Sequence, residues 1–99
     1  MEPKTVFSEK QTTAMTHIQG ENILIQGQAV YGGESNDIRM NNGQIFKIGY
    51  SNQQVGDCYI NNTGNVQISF YEVEDLTLMP EASTLLNQIY NDIKNEAGV

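Results

Sequence analysis

Polar and apolar residues alternate along most of this chain, and the alternation changes period once. Residues 22–31, Asn-Ile-Leu-Ile-Gln-Gly-Gln-Ala-Val-Tyr, place Ile23, Ile25, Gly27, Ala29 and Tyr31 on one face at period two. That pattern predicts a strand, and Gly27 in its middle predicts a bulge or a close backbone approach. Val55 to Ile60 predicts another, with Cys58 and Ile60 on one side and Tyr59 on the other. Val66, Ile68 and Phe70 form the core side of a third, with strand character extending toward Leu78 unless Glu74-Asp75 breaks it. Ile38-Arg39-Met40 and Gln44 to Tyr50 flank Asn41-Asn42-Gly43, and Asn-Gly accepts the positive φ angles of a tight hairpin. In the second of these strands Phe46, Ile48 and Tyr50 share a face, with Ile45 and Lys47 opposite. Asn61 to Asn65 reads as a further hairpin loop. Residues 1–20 carry a weak pattern: Thr13 to Ile18 alternate as a short strand, and the rest reads as a weakly ordered arm.

After Pro80 the period becomes helical. Ala82, Leu85, Leu86, Ile89, Tyr90, Ile93 and Ala97 recur at three- and four-residue steps, which predicts a helix over 80–97. Pro80 suits a helix start, Glu81 suits the positive end of the dipole, and Gly98 provides a stop. Such a helix is not stable alone in water, so its stripe must cover a sheet. Burial of Leu85, Leu86, Ile89 and Ile93 contributes about 1.5–3 kcal/mol each before ordering entropy. The expected fold is α+β: a mainly antiparallel sheet of five or six strands, a meander or a small sandwich, under one C-terminal amphipathic helix. Residues 21–99 form a single globular domain, with residues 1–20 an arm or an edge strand.

Composition narrows the function. Hydrophobic residues are 38% of the 99 and charged residues only 17%, the difference being filled by Asn and Gln. Net charge is −7, and all of the excess lies in residues 21–99, where ten acids face three bases. This charge repels phosphate backbones and anionic membranes, and it suits a basic protein partner. No stretch approaches the length of a membrane span, and Met1 to Gly20 lacks a signal-peptide core. A cytoplasmic location is therefore expected, and the Asn61-Asn62-Thr63 sequon carries little weight.

The chemistry available is sparse. Gly32-Gly33 is not followed by the residues of a phosphate loop. A zinc site needs three or four ligands, and one histidine and one cysteine are present, so neither metal nor cofactor is expected. A nucleophilic dyad would require His17 beside Cys58, yet Cys58 alternates with Ile60 and belongs to the apolar layer. No carboxylate pair is singled out by spacing, so an enzyme is not expected.

Surface contact remains. Residues 72–81 carry four acids and no base, so Glu72, Glu74, Asp75 and Glu81, with Asp57, form a candidate acidic binding face. Tyr31, Tyr50, Tyr59 and Tyr71 are candidate interface residues, and Arg39 and Lys47 a candidate anion-holding pair across the Asn42-Gly43 hairpin. The expected function is a small non-catalytic module that binds a larger protein with a basic surface. One form is an inhibitor of a nucleic-acid-binding enzyme, in the manner of viral or mobile-element accessory proteins. The alternatives are a self-assembling structural subunit, hence a homo-oligomer, and a sponge that holds a small ligand between protomers.

Overall fold

A computed structural model describes residues 11–32, 38–49 and 53–97. Five strands form one antiparallel sheet in chain order: β1 (Gln11–Gln19), β2 (Ile23–Gly32), β3 (Arg39–Lys47), β4 (Gln53–Ile60) and β5 (Val66–Phe70). A 3-10 segment (Val73–Leu78) leads into α1 (Met79–Ala97), which crosses one face of the sheet and packs chiefly over β2. The fold is thus an α+β meander with a helix on one side. Gly98, the expected helix stop, and Tyr50 lie outside the described residues.

The core is the interleaving of the two predicted stripes. Ile23, Ile25, Ala29, Met40, Ile45, Cys58 and Ile60 from the sheet meet Ala82, Leu85, Leu86, Ile89 and Ile93 from α1. Pairing explains why these side chains share a face: Ile25 stands opposite Ile45 and Ile18, and Ala29 opposite Met40 and Ala14. The core therefore takes Ile45 and not Phe46, which pairs with Leu24 on the opposite face. Val66 lies on the core face opposite Ile60 but is 54% exposed, because β5 is an edge strand at the margin of the helix.

The expected hairpin at Asn41-Asn42-Gly43 is instead a bulge inside β3. Between Gln26↔Gln44 and Gln28↔Asn41 the register gains one residue on β3, and the same gain recurs against β4 between Met40↔Ile60 and Gly43↔Cys58. Asn42 adopts φ 55°, so the positive φ that Asn-Gly tolerates serves a bulge here and not a turn. Gly27 lies opposite: a Cβ there would stand 3.1 Å from the Asn41 carbonyl oxygen, which makes it the close backbone approach the sequence implies. A Cβ on Gly43 would collide with the Cys58 carbonyl oxygen. Beyond β5 the chain turns into the 3-10 segment at Glu72, whose carbonyl accepts the Asp75 N–H at 3.1 Å, so strand structure ends before Leu78.

Candidate interaction surface

The face away from α1 carries Met15 and His17 from β1, Leu24, Gln26 and Gln28 from β2, Gln44 and Phe46 from β3, Asp57 and Tyr59 from β4, and Gln67 from β5. An amide ladder crosses it. Gln26 Nε2 donates to Gln44 Oε1 at 3.1 Å, and Gln54 Nε2 donates to Asp57 Oδ1 at 3.2 Å and to the Tyr71 hydroxyl at 3.0 Å. The Tyr71 hydroxyl donates in turn to Asp57 Oδ1 at 3.0 Å. Desolvation, the hydrogen bond to Asp57 and the charge of Asp57 together raise the Tyr71 phenol above its ordinary value. Tyr59 donates to Gln67 Oε1 at 2.7 Å, and the residue as a whole is 43% exposed.

The ladder ends at a rim formed by the β5 exit and the 3-10 segment. Glu72 and Glu74 are exposed there, between the apolar side chains of Tyr71, Val73 (84% exposed) and Leu76 (50%). A shallow depression of about 340 Å³ lies beside them, lined in part by Gln54, Tyr71, Glu72, Glu74 and Lys47. Exposed apolar side chains among exposed acids are a combination that folding alone does not require.

Not every predicted acid belongs to this rim. Asp75 is buried, and its carboxylate meets Lys47 Nζ at 3.3 Å. Glu81 turns back to the β1–β2 connection, where it accepts from Asn22 N and Asn22 Nδ2 at 2.9 Å each and from Ile23 N at 3.2 Å. Desolvation raises the Glu81 pKa, but these hydrogen bonds outweigh it and the net shift is downward. Its role is thus to clamp the start of α1 to the sheet, beyond any effect on the helix dipole. The acidic face narrows to Asp57, Glu72 and Glu74. Arg39 and Lys47 stand at opposite ends of one strand, so they do not pair across a hairpin. Tyr31 is half-buried against the core.

Cys58 and His17 are not brought together. Two strands separate them, and His17 faces the exposed side while Cys58 lies in the core. Burial, and secondarily the charge of Asp57, pushes the Cys58 thiol up to about 12, the direction opposite to nucleophilic activation. Among the described residues no group of three or more His, Cys, Asp or Glu side chains is placed to hold a metal ion, and no helix is long and apolar enough to cross a membrane. Val73 and Leu76 are the rim residues that sequence reasoning missed. Their signal is an apolar side chain inside an acidic run, which reads equally well as strand core.

Fold and surface together define an α+β single-sheet domain with an acidic, apolar-centred rim. No family model matches the chain, and comparison with curated proteins and with solved structures found no match.

Proposed function

We propose that this chain is a protein-binding module that docks a basic partner on the rim of Asp57, Tyr71, Glu72, Val73, Glu74 and Leu76. The supporting observation is Val73 at 84% exposure between two exposed glutamates. An apolar centre ringed by charge is the arrangement in which packing supplies affinity and electrostatics supplies selection and on-rate. In its narrower form the module acts in the cytoplasm as an inhibitor that occupies the basic groove of a nucleic-acid-binding enzyme, the role of an accessory protein of a virus or mobile element. The −7 charge favours that partner over nucleic acid itself.

The test is affinity capture from a cell lysate at graded ionic strength. Wild type is compared with a Glu72→Lys/Glu74→Lys variant, and each retained protein is then purified and titrated against both. Retention of basic proteins that weakens with salt and is lost in the variant is the expected result. Equal capture by both forms, or none at any ionic strength, would overturn the reading.

A further inference from the structure

We propose that β1 is the contact surface for a second copy of this chain, two copies joining edge to edge in one continuous sheet. Edge strands expose a row of unpaired N–H and C=O groups, and proteins commonly blunt them with proline, lysine, bulges or short length. β1 has none of these. It runs nine residues, Gln-Thr-Thr-Ala-Met-Thr-His-Ile-Gln, and pairs with β2 without a single register shift. Every other neighbouring pair, except that between β4 and the five-residue β5, is broken by a bulge.

Charge selects the partner. The chain carries −7, so two copies repel over most of their surface. β1 itself contains no Asp, Glu, Lys or Arg, so the strand pairing puts no ionic side chains of like sign directly opposite each other, and the nearest acids, Asp92 and Glu96, lie across the adjoining groove. A basic foreign partner gains nothing electrostatically from this strand and is drawn to the rim instead.

Symmetry then fixes the register. A closed two-fold pair of antiparallel strands requires like faces to meet, and full overlap of Gln11–Gln19 puts Met15 on the axis. Met15 is 74% exposed on the face away from α1, and in the pair it packs on its own symmetry mate, while Thr13 stands opposite His17. On the other face Ala14 meets Thr16, and the grooves lined by Ala14, Ile18, Tyr31, Ile89 and Ile93 merge into one trough between the two helices. Asp92 and Glu96 lie along that trough in each copy, so added salt strengthens the pairing.

The experiment is sedimentation of the full chain from micromolar to millimolar concentration, combined with cysteine crosslinking. Cys58 is buried, so a cysteine introduced on β1 reports alone. Directly opposed residues in antiparallel strands have Cα atoms about 4.5–5.5 Å apart, within disulfide reach. Met15→Cys is expected to form a reducible dimer on oxidation. Gln19→Cys is expected to remain monomeric, because in this register the two Gln19 residues lie roughly 26 Å apart, eight residue steps at about 3.3 Å each. Met15→Lys, which puts like charges on the axis, is expected to weaken dimerisation about tenfold or more, with an unchanged circular dichroism spectrum. A wild type that is strictly monomeric at millimolar concentration, equal crosslinking through residues 15 and 19, or a dimer indifferent to Met15→Lys would each overturn the proposal.

Discussion

The two edges of this sheet are built in opposite ways. β1 is long, regular and free of Asp, Glu, Lys and Arg. β5 has five residues and opens directly into exposed glutamates and apolar side chains. Both are outer strands of the sheet among the described residues, so strand order does not distinguish them. Charge and side-chain content do. A strand without Asp, Glu, Lys or Arg suits association of like-charged copies, and an acidic surface with an apolar centre suits a basic partner. If the two proposed contacts form, the same change in ionic strength is expected to act in opposite directions at the two edges, strengthening contact at β1 and weakening it at the rim.

The largest effect is expected in the core that supports both edges. Ile45 is fully buried between sheet and helix, and Ile45→Ala is expected to cost about 2–5 kcal/mol in chemical denaturation, lowering the stability of both edges together. A selective break comes from Gly56, where a Cβ would collide with the Ser69 carbonyl oxygen across the β4–β5 pair. Gly56→Val is expected to cost about 1–3 kcal/mol. Amide chemical shifts are expected to move in β4, β5 and the rim while those of β1 stay in place.

Smaller still is the clamp at the start of α1. Glu81→Gln keeps the shape of the side chain and removes its charge from three donors, with an expected loss of about 1–2 kcal/mol at neutral pH. The folded pKa of Glu81 lies below the ordinary value of 4.5, so its contribution is complete above that value and is lost as pH falls through the folded one. The gap between wild type and Glu81→Gln, followed by denaturation at several pH values, is expected to close on acidification. A gap that widens in acid contradicts the clamp. The smallest effect is local to the rim. Asp57→Asn removes the charge and weakens the acceptor that hold Tyr71 protonated, so alkaline absorbance titration is expected to show Tyr71 ionising at lower pH.

The elements legible in the sequence were those whose period matched one buried face. Ile23, Ile25 and Ala29 on the sheet and Leu85, Leu86, Ile89 and Ile93 on the helix follow from spacing alone. The bulge was not legible, because Asn42-Gly43 satisfies a hairpin and a bulge with the same positive φ. The choice depends on whether β2 and β4 continue alongside, a tertiary fact. Side-chain roles within the acidic run were hidden for a related reason. Asp75 is set apart from Glu74 by its burial beside Lys47, which another strand places there, and Glu81 from Glu72 by Asn22, 59 residues earlier in the chain. Composition located the acidic region, and long-range contacts decided which acids remain available to a partner.

The two edges are proposed to meet different partners, and amide hydrogen exchange followed against protein concentration separates their behaviour. The amides of β1 that point away from β2 are expected to gain protection as concentration rises, and more so in added salt, while those on the free side of β5 keep the rates of the dilute protein. Protection that rises on β5, or rates on β1 that do not depend on concentration, would contradict the account.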